Sequence, residues 1–195
     1  MADSASARFS CTCGKLTGRI TPVSPRSGTH IKCYCPDCRA AEVHFGQPDP
    51  GQSGVELFQM TPDMINIDQG QEYLGAFRFS PKGIYRWYAS CCRAPLFNTL
   101  VSPKLPFAGV VVARLEDGAD IGPVVAEGHV KQADGSTKHK GGTRLVWGVF
   151  RRMGAARLSG KWKETPFFDP STGDPVVTPE IMSREERARL KASLT

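Results

Sequence analysis

A chain of 195 residues, 40% hydrophobic and 23% charged, carries enough apolar material to bury a core of its own. A metal ion would therefore organise such a chain locally rather than supply its whole stability. No run approaches the ~20 apolar residues of a membrane-spanning helix, and a net charge of +6 without a reading motif does not make a nucleic-acid surface.

Seven cysteines are an odd number at very short spacings, unlike the framework of a secreted disulfide scaffold. Residues 1–7 lack the apolar stretch of a signal peptide, so the expected location is cytoplasmic, where clustered thiols bind metals or react. The 20 glycines and 15 prolines point to many turns, and so to more strand than helix.

Residues 1–8 are small, polar and aperiodic, and are expected to be weakly held. Two short strands follow, one at Phe9 and Ser10 and one from Leu16 to Ile20, around the turn Cys11-Thr12-Cys13-Gly14. Residues 21–28 hold two prolines and a glycine and form a loop. His30-Ile31-Lys32-Cys33 is a strand that delivers the central thiols. Residues 39–45 suit one or two helical turns, and 46–54 form a turn-rich loop or lid.

Strands are then expected at 55–60, 65–70, 73–79, 84–89 and 95–99, each bounded by turn residues. This is the spacing of an all-β assembly. The unbroken apolar run 107–115 suits a buried strand or a core helix equally well. Residues 116–142 are mostly polar, with turns at Asp117-Gly118 and Asp134-Gly135; His129 and His139 lie here and are assigned no role.

A helix is expected over 143–158. Much of the positive charge clusters nearby, at Arg151, Arg152, Arg157, Lys161 and Lys163, and reads as a solvated basic edge. Ser183-Arg184-Glu185-Glu186 is a capping box that opens a charged helix ending near Leu194.

The chemistry lies in the cysteines, which fall in three tight groups: Cys11 with Cys13, Cys33 with Cys35 and Cys38, and Cys91 with Cys92. Thiolates select zinc and other soft or borderline metals. One division makes Cys33, Cys35 and Cys38 a site with one open position, while Cys11, Cys13 and Cys92, with Cys91 as fourth, make a closed one. A competing division gives a single four-cysteine site and leaves free thiols. Adjacent side chains on a strand point to opposite faces, so Cys91 and Cys92 can share one ion only if the backbone turns sharply there.

Three thiolates leave zinc a weak Lewis acid but a good carrier for a fourth sulfur arriving from solution. That sulfur can add to an aldehyde carbonyl, or leave in the reverse reaction. Arg39, Tyr34, Lys32 and Arg93 lie near in sequence and would bind a substrate carboxylate, or else be ordinary solvated side chains. His30 and His44 flank the central thiols as candidate ligands or proton shuttles. Asp37 can orient the loop, and Trp87, Tyr88 and Phe97 share the sheet periodicity of core residues.

The motifs Ser10-Cys11-Thr12-Cys13-Gly14 and Cys33-Tyr34-Cys35-Pro36-Asp37-Cys38-Arg39, with the Phe77 to Lys82 strand and turn, resemble those of the glutathione-dependent formaldehyde-activating enzyme family. That family is also called centromere-protein-V-like and has the Mss4-like zinc-binding β fold. The resemblance covers residues 9–100. The third motif departs from the pattern: Ala89 stands where a cysteine is usual, Arg93 replaces a glycine, and Cys91 would supply the missing ligand from a shifted position.

The resemblance implies a mainly β fold of short antiparallel sheets. It implies a zinc-binding domain, expected over 9–115; it does not explain the rest of the chain, which is expected to be an extension over 116–195 packed on that domain, with the capped terminal helix at about 183–194. It implies two Zn²⁺ ions per chain, one structural and one held by Cys33, Cys35 and Cys38 as the catalytic group. The expected function is that of a carbon–sulfur lyase joining or cleaving a glutathione-like thiol and a small aldehyde. The alternative is a non-catalytic zinc-binding structural or interaction module. The extension would cover the site or form a homodimer contact.

Overall fold

The computed structural model describes residues 5–194. Among them the chain forms twelve strands and three α-helices, joined by turns and short 3₁₀ segments. Strands β1 (Ala7–Ser10), β2 (Thr17–Ile20) and β5 (Ile65–Gln69) make a small antiparallel sheet.

The large sheet has nine strands: β3 (Thr29–Cys33), β4 (Val55–Met60), β6 (Leu74–Arg78), β7 (Tyr85–Ala89), β8 (Ala94–Thr99), β9 (Ala108–Val111), β10 (Ala126–Lys131), β11 (Thr137–Lys140) and β12 (Glu180–Ile181). Their order across the sheet is β11-β10-β3-β4-β9-β8-β7-β6-β12. The helices are α1 (Pro36–His44), α2 (Gly142–Ser159) and α3 (Arg184–Ala192). None of the described helices is long and apolar enough to cross a membrane.

The fold is mixed α/β with three helices and substantial antiparallel sheet, so the expected antiparallel pairing is present, in one large sheet and one small one. Two joins in the large sheet are parallel, β10 beside β3 and β12 beside β6. Both β10 and β12 come from the polar late segment. Their pairing depends on long-range closure that local pattern does not encode.

The five strands expected between 55 and 99 are present, and the apolar run 107–115 resolves into β9 followed by a 3₁₀ turn. The expectation of a weakly held start is corrected for the described part: Ala7 and Arg8 lie in β1, and the Val23 N–H donates to the Ala5 carbonyl at 2.7 Å. Residues 1–4 lie outside the described residues.

The main core sits where the two sheets meet. Trp87, Phe9, Phe97 and Phe167 are each at most 1% exposed, a burial worth about 1.5–3 kcal/mol for each such side chain. Phe9 packs edge-on against Phe97, with ring centroids 5.0 Å apart. Phe167, from beyond α2, packs with a tilted ring against Trp87 at 4.9 Å and Phe97 at 5.3 Å. The Trp87 indole N–H donates to Thr99 Oγ1 at 2.9 Å, so the buried ring leaves no donor unpaired.

The capping box forms as read: Ser183 Oγ accepts from the Glu186 N–H, and Glu186 Oε2 accepts from the Ser183 N–H. Helix α3 docks on α1 through Arg187 and Lys191, which both pair with Asp37. Much of the late basic segment is engaged internally. Arg152 donates to Thr29 Oγ1, Lys161 pairs with Asp63, and Arg157 and Lys163 lie over the Trp162 ring.

Strand β12 is held by the Tyr88 hydroxyl, which donates to Glu180 Oε1 at 2.5 Å. Burial, and then this bond, push Tyr88 up to about 12. The fold favours the neutral phenol, so this stabilisation is complete below the ordinary tyrosine value of about 10 and is lost as pH rises through about 12. In an ultraviolet phenolate titration one phenol is expected to ionise near pH 12, and Tyr88→Phe to remove that step. An unchanged titration curve in the variant would sink this assignment.

Candidate metal centre

The seven thiols gather into two clusters. Within each, the sulfurs lie within 4.8 Å of one another: Cys11, Cys13, Cys91 and Cys92 in one, and Cys33, Cys35 and Cys38 in the other. The domain is thus cysteine-rich with two groups able to chelate a metal.

The first cluster is made by two turns facing each other. In the turn between β1 and β2, the Gly14 N–H returns to the Cys11 carbonyl at 3.0 Å and Gly14 takes φ +76°, a conformation open to glycine. The Leu16 N–H donates to Cys11 Sγ at 3.3 Å.

Between β7 and β8 the chain reverses sharply. The Cys92 N–H donates to the Ala89 carbonyl at 3.3 Å, and Arg93 takes the left-handed φ of +57°. That conformation is costly for a side chain with a Cβ. It is held by the Arg93 guanidinium, which donates to the His44 carbonyl at 3.1 Å and lies over the Phe45 ring. This reversal removes the strand alternation that would otherwise separate Cys91 from Cys92.

The sulfur separations are 3.7 Å for Cys11 to Cys13, 3.8 Å for Cys11 to Cys91 and 3.4 Å for Cys13 to Cys91. Tetrahedral zinc with Zn–S bonds near 2.3 Å sets its sulfurs about 3.8 Å apart, so this donor set fits the ion in chemistry and in size. Burial and then the Cys13 and Cys11 thiols push Cys91 up to about 12. Burial also opposes ionisation of Cys92, but hydrogen bonds from the Cys13 and Ala94 backbone outweigh it and bring that thiol down to about 6.

The second cluster is built at the junction of β3 and α1. Cys33 ends the strand, Cys35 caps the helix, and Cys38 lies in its first turn. The helix begins at Pro36, earlier than expected from the sequence. Proline suits the first helical position because the N–H it lacks would have no helical partner there. The Cys38 N–H donates to Cys35 Sγ at 3.3 Å, and the positive end of the helix faces the thiols.

Hydrogen bonds from Cys33 and Cys38 lower Cys35 to about 2, while Cys33 and the buried Cys38 are raised. Behind them lies Arg86, 5% exposed, which donates to Asn98 Oδ1 at 3.1 Å and favours the anionic form of Cys35 and Cys38. A cavity of about 10 Å³, room for roughly one water, touches Cys38, Glu42, Arg86 and Asn98.

The other residues singled out in the sequence lie as follows. Arg39 pairs with Asp49, and Lys32 pairs with Glu56. The Tyr34 ring packs so closely over Gly54 that a methyl group there would approach it to 2.8 Å. Neither flanking histidine joins the sulfurs. His30 is hydrogen-bonded to the Gly122 carbonyl at 2.8 Å and to Glu56 at 3.1 Å, and His44 stacks on Phe77 at 4.3 Å.

The structure instead brings His139 beside Cys33, across Gly128. Sequence reasoning passed over it because 116–142 reads as polar linker. The available signal was Asp134-Gly135, a hairpin turn that predicts two flanking strands.

Among curated proteins none matches the chain. Among solved structures, a Rhodobacter sphaeroides protein determined as a structural-genomics target is 20% identical, with the match covering 60% of this chain and 96% of that one at a TM-score of 0.43. The similarity to the formaldehyde-activating enzymes rests on the sequence motifs alone, the cysteine turns and the Phe77 to Lys82 segment. Residues 4–180, which include all seven cysteines, match the sequence model described as "Family of unknown function (DUF6151)", and the chain belongs to that family.

Proposed function

We propose that the protein is a zinc-binding structural or interaction module that holds two Zn²⁺ ions, one in each thiol cluster. The observation that carries this reading is the partition of seven thiols, four and three, with no cysteine left over. Such sites contribute folding energy directly, because the ligands are brought together only in the folded chain.

In this reading the four-thiol site ties the β1–β2 turn to the β7–β8 turn. The three-thiol site fixes α1 to the end of β3. The segment after residue 115 is an extension that completes both ends of the large sheet through β10, β11 and β12.

The second reading is a carbon–sulfur lyase of the formaldehyde-activating type, on an Mss4-like zinc fold. It is favoured by the three-thiol count at Cys33, Cys35 and Cys38, which leaves a fourth coordination position for glutathione or a related thiol, and by the depressed Cys35. Against it, the nearby groove of about 430 Å³, lined by Lys32, Glu42, Glu56 and Val111 among others, has no cysteine in its wall.

Metal counting on the purified chain, followed by glutathione titration of the Co²⁺-substituted protein, separates the two. The module reading expects two metals and no change in the cobalt spectrum on adding thiol. A new sulfur-to-cobalt charge-transfer band would favour the lyase reading, and fewer than two metals would defeat both.

A further inference from the structure

Strand β10 lies between β3 and β11. It pairs Gly128 with Cys33 on one side and is bonded to the hairpin strand carrying His139 on the other. Residues level with one another on neighbouring strands share a face of the sheet. A row thus runs from His139 across Gly128 to Cys33.

Gly128 has no side chain, and the space it leaves is bordered by two potential ligands. A methyl group on its Cα would lie 3.7 Å from His139 Nδ1 and 3.8 Å from Cys33 Sγ. The next contact along the ladder, from the Tyr34 N–H to the Gly128 carbonyl at 2.9 Å, ties this spot to the loop that carries Cys35.

The backbone is distorted at the same place. The β10–β11 register shifts between Glu127 and Val130, and His129 within the shift takes φ +58°. A bulge of this kind re-aims side chains and is over-represented beside functional sites, and a left-handed histidine is strained. Its effect here is to present the His129 N–H to His139 Nδ1 at 3.3 Å. Nδ1 therefore carries a lone pair rather than a proton, the form of imidazole that binds a metal. That hydrogen bond is long and exposed, and is easily exchanged for a cation.

We propose that His139 is the fourth ligand of the Cys33, Cys35 and Cys38 site, reaching its zinc ion through the gap left by Gly128. The proposal rests on the two-zinc reading above and deepens it, turning the three-thiol site into a closed Cys₃His site. As placed, His139 stands outside the 4.8 Å that contains the three sulfurs, so binding requires its side chain to swing inward. The exposed position of β11 leaves it room to do so. A Cβ at Gly128 would lie in van der Waals contact with both the imidazole and the sulfur, and glycine leaves that space open.

The test is X-ray absorption at the zinc edge on the full chain loaded with zinc, with metal content measured on the same samples. The wild type is expected to hold two zinc ions with seven sulfurs and one imidazole between them. His139→Ala is expected to lose the imidazole scattering, to weaken one of the two ions at least tenfold, and to let added glutathione supply an eighth sulfur. His139→Cys is expected to keep two ions, now with eight sulfurs. His129→Gly, which suits the left-handed backbone, is expected to keep the imidazole signal.

Two zinc ions without an imidazole signal in the wild type would overturn the proposal and leave the two-site reading standing. So would a signal that survives His139→Ala, or one lost only in His129→Gly. Fewer than two ions in the wild type would overturn both.

Discussion

Cys13→Ser is expected to reduce the metal content from two ions per chain to one and to lower the melting temperature by about 10 °C. A ligand present at a thousand times its dissociation constant stabilises the folded state by about 4 kcal/mol. One kcal/mol shifts the melting point of a chain this size by roughly 2–4 °C. Cys13 suits this test better than Cys11. Cys13 is exposed, whereas Cys11 is 3% exposed and packed in the main core, so replacing Cys11 would also disturb packing.

The Cys13 variant removes a ligand and little else. Stripping the metal with a strong chelator should therefore bring wild type and variant to nearly the same melting temperature. If the difference persisted in chelator, the thiol would be acting through contacts in the protein and the four-thiol site would not be a metal site. Serine at Cys13 should leave the second ion in place, because the two clusters share no residue.

Phe167→Ala is the second large effect expected, a loss of about 3–5 kcal/mol, the range for truncating a buried aromatic. Phe167 is fully buried against Trp87 and Phe97, in a close-packed interior where truncation leaves a cavity. Calorimetry should show the whole chain melting in one transition at a lower temperature. Leu158, on the exposed face of α2 and 93% exposed, is the control; Leu158→Ala should change stability by less than about 0.5 kcal/mol. A small effect at Phe167 would mean that the late segment can leave the cysteine-bearing part without cost. A large one means that the two parts share one core.

These two outcomes address different layers of the molecule. The aromatic core is built mainly from apolar contacts, while the four-thiol cluster joins two turns. The two are expected to add when combined, because the Cys13 side chain is exposed and Phe167 is fully buried.

The small motifs were legible in the sequence because each is closed by local chemistry. Ser183 and Glu186 cap α3 through bonds that span only three residues. Gly14 turns the chain between Cys11 and Leu16, and Cys33, Cys35 and Cys38 are close in space because they are close in the chain. The strands from Val55 to Thr99 follow from apolar patterning and the turn residues between them. The alternation at Cys91 and Cys92 could not be settled that way. The reversal there depends on Arg93 holding an unfavourable φ through contacts with His44 and Phe45, residues far away in sequence.

What the sequence determined by itself is therefore local: three groups of thiols, the turns that carry two of them, the capping box and most of the central strands. The tertiary structure alone decided how the groups divide, bringing Cys11 and Cys13 to Cys91 and Cys92 and leaving the central three as a separate cluster. It also placed Phe167 in the core and set His139 across Gly128 from Cys33. The physical reason is the same in each case. These contacts join segments distant along the chain through strand pairing and burial, and the polar residues 116–142 carry no apolar period to announce that they will pair.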